Sequence, residues 1–529
     1  LTSHPKNRSL DLQLPRRALL AGAAATLPRF AIAQSDTRPA VTVAVQKISN
    51  SGTLDPMREQ SSNVSERWMG LIMETPIGRN QQDQLQRVPA LATEWRRIDE
   101  RTVELALRPG VTFHNGDILT AEDIVFSFGP DRMTGDALPA DIRATAKRYW
   151  PGLERIEIRD ELTVRFVNTT PEVTIEGRLA AGGSQILNRR AWHETGTWDA
   201  NARHPIGTGP YRLRSFRPDT ALELEAHDTY WGGRPPLRSV RFLEVPEVAA
   251  RIEGLRAGEY QFACDIPPDQ IPTVTGDAKL AVQGGLVTNH RIVAFDKQHP
   301  ALRDPRVRLA MAHAVDGQAI VDALWAGRTV VPPGLQFPFY GPMLVPGWHV
   351  PEYDPAKAQE LLRQAGYDGA PIDYRVRNNY YTAEVATAQV LLELWKSVGL
   401  NVELQVKENW AQVLDKSGPR GLRDWSNSAT FDDPVSSIVN QHGPDGAQQA
   451  SGEWSNTEMN QLSLTLQSST DITQRRAMFA RMLQICERDD PAYIVLHQNA
   501  VFTALRKDLP WRQPPSFFMD FTPNNWGRR

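Results

Sequence analysis

Between residues 372 and 406 the apolar pattern changes period twice, and this restricts the fold class more than any other feature of the chain. Ile372, Tyr374 and Val376 alternate with Asp373, Arg375 and Arg377, the pattern of a half-buried strand. Val385, Ala388, Leu391, Leu392, Trp395 and Val398 then recur at helical spacing, and Gly399 stands ready for a left-handed helix cap. Val402, Leu404 and Val406 alternate again with polar neighbours. Strand, helix, strand over this length predicts a right-handed crossover between two parallel strands. The class is α/β.

Other segments extend that pattern. Val41, Val43 and Val45 predict a first strand, a polar loop covers residues 49–56, and a helix follows over 66–73. Val103, Leu105 and Leu107 alternate up to the turn dipeptide Pro109-Gly110, which predicts a hairpin. Thr120 and Asp123 form a box-like cap for a new helix. Asp354-Pro355 opens a helix with the face Ala358, Leu361, Leu362 and Ala365, closed by Gly366. The Gly/Pro/Gln-containing stretch 441–452 reads as a surface loop.

A chain of 529 residues is too long for one core, so two or more lobes are expected. A net charge of -3 without a basic stripe argues against a nucleic-acid partner. Past the amino terminus no apolar run approaches bilayer length, so the mature chain is not expected to be membrane-embedded. Residues 1–33 read as an export signal: Arg16-Arg17, a weakly apolar stretch over 18–27, and Ala31-Ile32-Ala33 before a cleavage point at Gln34. The arginine pair points to the twin-arginine route, with a Sec signal as the alternative. Cys264 and Cys486 lie far from that signal, so no lipid-modified cysteine is expected and a free periplasmic protein is. Two separate buried thiols are favoured over a disulfide.

Two stretches, VTFHNGDILTAEDIVFSF (111–128) and HPIGTGPYRLRSF (204–216), together resemble the family 5 solute-binding proteins of ABC importers for peptides, nickel and related solutes. HDTYWGGRPPL (227–237), DPRVRLAMAHAVDGQAIVDALWAG (304–327) and YDPAKAQELLRQAGY (353–367) follow in the family's order. The resemblance implies a two-lobed periplasmic-binding-protein fold (type II, large class C) whose first lobe is divided into two subdomains. By analogy lobe 1 spans 34–293 with an inserted subdomain about 61–190, lobe 2 spans 294–496, and 497–529 returns to lobe 1. It also implies capture of a small-molecule solute by lobe closure, and delivery to an inner-membrane ABC permease with its ATPase. A monomer without a cofactor is expected.

Ligands of open parallel sheets bind beyond the carboxyl ends of the strands. The loops leaving 372–377 and 402–407 carry Asn378, Asn379, Tyr380, Tyr381, Asn409 and Trp410, amides and aromatics suited to a pocket. Packing under neighbouring helices is the equal alternative for the aromatics. A third loop, 425–434, adds Trp425, Asn427, Thr430 and Asp432. Peptide-binding members of the family show Asp-Tyr-x-Asp-Pro here, the first aspartate pairing with the ligand ammonium. Aligned on Asp433-Pro434, that position holds Thr430, and a hydroxyl cannot neutralise a buried ammonium. A non-peptide or atypical amino-containing solute, such as a sugar conjugate, an opine-like compound or a modified amino acid, is therefore expected, with a peptide-like solute kept among the candidates. Arg375 and Arg377 are candidates for a ligand carboxylate, with a solvated strand face the commoner role. Gly207, Gly209 and Pro210 are expected to set a tight turn.

The sequence contains no G-x-S-x-G elbow, H-E-x-x-H pair or Walker loop, so a periplasmic hydrolase is the minor alternative and no catalytic residue is assigned. A nickel- or metal-complex binder of the same family is the stronger one. Its histidines, His193, His204, His227, His290, His313 and His442 among them, lack ligand spacing, so no metal site is assigned.

Overall fold

A computed structural model describes residues 36–59, 63–83, 86–378, 380–418 and 420–527. The chain divides into two compact units, Leu1–Thr37 and Arg38–Arg529. Of the first unit only Asp36 and Thr37 are described, so the expected export signal lies outside the described residues. The second unit, Arg38–Arg529, carries the strands and cores.

Its strands begin with β1 (Ala40–Val45), β2 (Ile77–Arg79), β3 (Arg87–Pro89), β4 (Ala92–Asp99), β5 (Thr102–Leu107), β6 (Leu153–Asp160), β7 (Thr163–Asn168) and β8 (Tyr211–Arg217). They continue with β9 (Ala221–Ala226), β10 (Ser239–Glu244), β11 (Phe262–Ala263), β12 (Leu280–Phe295), β13 (Ile372–Arg377), β14 (Val402–Lys407), β15 (Leu422–Ser428) and β16 (Tyr493–Arg506). Ten form one mixed sheet in the order β14-β13-β15-β12-β16-β11-β1-β10-β9-β8. The predicted crossover is present: β13 and β14 run parallel, joined by the helix Glu384–Ser397, and Gly399 takes φ +96° just beyond it.

Two strands hold the sheet together. Residues 280–286 of β12 face 500–506 of β16, and 290–294 face 493–498, with a register shift between Leu286 and His290. β12 also pairs with β15 on one side, and β16 with β11 on the other. Both strands therefore belong to both halves of the sheet. One core cluster, with Val43, Trp68, Phe242 and Phe262, also takes in Trp511 and Phe521 from the carboxyl-terminal tail. Another, with Leu105, Phe113, Ile124 and Phe166, lies with the antiparallel sheet β4-β5-β7-β6. Val293, Tyr374, Leu391 and Trp395 belong to a third, and Phe337, Trp454, Phe479 and Met482 to a fourth.

Three sequence expectations need correction. The hairpin partner of β5 is the preceding strand β4, turning at Glu100-Arg101 rather than at Pro109-Gly110; the latter turn leads to a lone bridge, Thr112 to Ile118. Residues 425–428 are strand, the end of β15, because each pairs with β12. The stretch 441–452 is not a surface loop throughout: it holds the helix Ala447–Ala450, and Gln448 is fully buried. Gln448 Nε2 donates to Phe295 O and Ala492 O at 2.8 Å each, which satisfies a polar side chain that hydrophilicity alone would place outside. The Thr120–Asp123 capping box forms, with Thr120 N donating to Asp123 Oδ2 at 3.0 Å. Cys264 and Cys486 are unbridged and buried, each against a methionine sulfur.

Three of the quoted motifs interlock. A Cβ on Gly207 would lie 2.2 Å from Ile72 O, and one on Gly209 would lie 2.4 Å from Leu71 O. The glycines thus permit a close backbone approach to the end of the helix Glu66–Ile72. His114 Nε2 and His227 Nδ1 both donate to Gly209 O, at 3.0 and 3.1 Å, their rings edge to face at 5.1 Å. Burial pushes the His114 pKa down to about 3, so it stays neutral.

Candidate functional site

Two cavities lie where the halves meet, sharing a wall made by Ser428 and Thr430. The larger, about 630 Å³, is walled by Glu66, Met69, Gly70, Glu74, Arg79 and Gln81 before β12. Thr288, Ala429 and Thr430 face them, with Phe517, Phe518 and Asp520 from the tail. The smaller, about 300 Å³, is lined by Asn50, Asn63, Arg148 and Tyr149 on one side. Tyr380, Tyr381, Trp410, Trp425, Asn427, Thr430 and Gln441 line the other.

Polar contacts cross between residues before β12 and residues after it. Asn50 Nδ2 donates to Tyr380 Oη at 3.2 Å, and Arg79 Nη1 to Thr430 O at 2.9 Å. Arg178 Nη2 donates to Gln467 Oε1 at 2.7 Å. Arg87 pairs with Asp432 at 3.2 Å and Lys147 with Asp445 at 2.9 Å.

Burial dominates the charges of the larger cavity. It pushes the Glu74 carboxyl up to about 7, against the pull of Trp231, Tyr230 and Thr208. Those three donate to it: Tyr230 Oη at 2.8 Å, Trp231 Nε1 at 2.9 Å and Thr208 Oγ1 at 2.9 Å. Thr208 belongs to the IGTGPY motif and Tyr230-Trp231 to HDTYWGG, so both motifs converge on one carboxylate in the cavity wall. Burial also raises Glu66, opposed by Arg79 and Arg67, and lowers Arg79, opposed by Glu66.

The sequence candidates separate into two groups. Tyr380, Tyr381, Trp410, Trp425, Asn427 and Thr430 come together around the smaller cavity. Their rings meet edge to face: Tyr380 and Trp410 at 5.0 Å, Trp410 and Trp425 at 4.9 Å. Tyr381 lies under the Arg291 guanidinium at 3.7 Å, and Arg291 pairs with the buried Asp424 at 2.8 Å. Asn378, Asn409 and Asp432 line neither cavity. Asn378 is exposed, Asn409 caps the helix Trp410–Val413 through Gln412 N at 2.9 Å, and Asp432 is taken by Arg87. Asn379 lies outside the described residues. Arg375 Nη1 donates to Asp415 O at 2.9 Å and Arg377 Nη2 to Glu408 O at 3.2 Å, so both guanidiniums fasten backbone.

Sequence reasoning missed Glu66, Glu74, Arg79 and the tail residues of the larger cavity. Only the convergence of two motifs on Glu74 had a signal, and it required contacts between distant segments. Among the described residues no group of three or more His, Cys, Asp or Glu is placed to hold a metal ion. No helix is long and apolar enough to cross a membrane among them.

The family model for bacterial extracellular solute-binding proteins, family 5 (middle region), matches residues 86–449. The dipeptide-binding protein of Escherichia coli strain K12 is 26% identical over 458 residues, covering 80% of this chain and 83% of that one. A dipeptide-binding protein from Pseudoalteromonas sp. SM9913, solved with Met-Leu, superposes with a TM-score of 0.81 at 19% identity. It covers 90% of this chain and 98% of its own. The binding protein MoaA from A. tumefacien R10, solved with mannopinic acid, gives 0.78 at 21% identity, over 90% of this chain and 97% of its own. The two structural likenesses show the fold alone: a two-lobed α/β binding-protein architecture of type II.

Proposed function

This chain belongs to the bacterial extracellular solute-binding proteins of family 5, and from that premise we propose that it closes two lobes around a small non-peptide solute and hands it on unchanged to an ABC importer. The observation that carries this reading is the pair of cavities walled from both sides and spanned by polar contacts. A solute held by one lobe gains the second set of contacts only on closure, so it shifts the population toward the closed form. To reverse a 1:99 preference for the open form it must bind the closed form better by about 5.5 kcal/mol. The transport energy belongs to the partner ATPase.

In this reading the lobes divide near 293 and 496, with 497–529 returning to lobe 1. The protein works as a periplasmic monomer exported through the arginine pair at 16–17, and it performs no chemistry on its cargo. The ligand side chains are those gathered at the smaller cavity together with Glu66, Glu74 and Arg79 of the larger. Against ordinary peptides stands Thr430, which the family pattern aligns with an ammonium-binding aspartate and whose hydroxyl has no hydrogen-bond partner among the described residues.

Two measurements test this. Protein purified without refolding, carrying its solute, should show a smaller radius of gyration by small-angle scattering than the same protein stripped by denaturant and refolded. Equal radii would count against closure. Calorimetric titration with dialanine and trialanine should give no tight binding, and tight binding would end the non-peptide reading.

A further inference from the structure

We propose that the smaller cavity is a subsite for a polyhydroxylated, sugar-like portion of the solute bearing an anionic group, a refinement that rests on the solute-binding reading above. The first observation is what the lining omits. Among the described residues around it there is no aspartate or glutamate; every polar side chain is an amide, a hydroxyl or a phenol except Arg148. Such a lining offers an ammonium no charge partner.

The second observation is a set of polar atoms with nothing to bond. Asn427 Oδ1, Thr430 Oγ1, Gln441 Nε2 and Asn50 Oδ1 have no hydrogen-bond partner among the described residues, although all four residues line this cavity. Asn427 and Gln441 are only 3% and 7% exposed. Asn427 Nδ2 donates to Ser437 O at 3.2 Å, which fixes its oxygen as the unpaired acceptor. Buried polar atoms are rarely left unpaired. These comprise amide acceptors, an amide donor and a hydroxyl. A ligand hydroxyl both donates and accepts, so a polyol can satisfy all of them, whereas an ammonium could serve only the acceptors.

The third observation is the aromatic wall of Tyr380, Trp410 and Trp425, with apolar surface beside the amides, as small-molecule sites combine them. Arg148 completes the pattern. Its guanidinium lies 5.0 Å from the Tyr149 ring centroid and has no carboxylate partner among the described residues, so it can take a ligand carboxylate or phosphate.

The test is calorimetry on the full mature chain, stripped of co-purified solute, with D-gluconate, D-glucose, D-glucosamine and dialanine as probes. D-gluconate should bind best and D-glucose more weakly, both measurable at about 1 mM, while the two ammonium-bearing probes should be the poorest. Asn427→Ala and Gln441→Ala should each weaken D-gluconate about tenfold. Arg148→Gln should weaken D-gluconate by a similar factor and leave D-glucose unchanged. The proposal is overturned if glucosamine or dialanine binds better than gluconate, if neither sugar probe binds, or if the three substitutions have no effect. Mass spectrometry of protein purified without refolding separates this from the broader reading: a co-purified solute without hydroxyl-rich character sinks the subsite alone. A chain that carries no solute and compacts with none would sink solute binding itself.

Discussion

The two cavities share a wall, yet their chemistry is opposite. The larger carries Glu66, Glu74 and Asp520 against Arg79, while the smaller has Arg148 and, among the described residues, no acid. The difference originates in the secondary structure behind each. The acids of the larger cavity sit on or just after the helix Glu66–Ile72 and on the tail, clamped by interlocked motifs. The neutral groups of the smaller come from β15 and the turn after it, from the helix Trp410–Val413, and from the helix Ile438–His442 that carries Gln441. One side of the site is therefore clamped by its motifs and titratable near neutral pH, and the other carries no acid among the described residues.

The largest expected effect strikes the rigid side. Gly209→Val would drive a side chain into Leu71 O and displace the helix that carries Glu66. We expect a loss of about 3 kcal/mol in urea unfolding, whereas the same change at Gly418, where an added Cβ meets nothing within 4 Å and the backbone is not left-handed, would cost far less. Equal losses at both positions would remove the clamp from the comparison.

A comparable effect comes from pH. Glu74, raised from 4.5 to about 7, keeps its proton longer in the folded chain than in the unfolded one. Its contribution to stability is whole below the unfolded value and is lost as pH rises through about 7, up to about 3 kcal/mol. Unfolding free energies between pH 4.5 and 8 should therefore decline in the wild type and decline less steeply in Glu74→Gln, since the buried Asp424, pushed up to about 8, keeps its own share. Asn427→Ala, on the neutral side, should leave the slope unaltered. A steeper slope in Glu74→Gln would contradict the assignment.

The smallest effect belongs to the contact across the smaller cavity. Tyr380→Phe removes the acceptor for Asn50 Nδ2 and should cost about 1 kcal/mol of solute affinity. A double-mutant cycle with Asn50→Ala should return most of it as coupling, and additivity would show that the contact does not report closure.

Much of the scaffold was legible because it is periodic. The β13–helix–β14 crossover, the Asp354-capped helix and the Thr120 box each follow from local pattern and cap chemistry. The aromatic side of the site was legible for the same reason, since loops at the carboxyl ends of parallel strands converge. What escaped depended on distant partners. Gln448 is polar but buried by two backbone carbonyls far off in sequence. Glu74 gave no sign of its donors, which come from segments more than a hundred residues away.

The return of the tail sets a timetable for synthesis. β16 supplies the neighbour of β11, Trp511 packs on Phe262, and Tyr211 donates to Phe521 O at 2.9 Å. The amino-terminal half thus lacks a strand and part of its interior until the last few dozen residues leave the ribosome. A nascent chain stalled before Tyr493 should stay protease-sensitive around β1, β10 and β11, however long it is given to fold, while the core behind β4-β5-β7-β6 needs no tail residue.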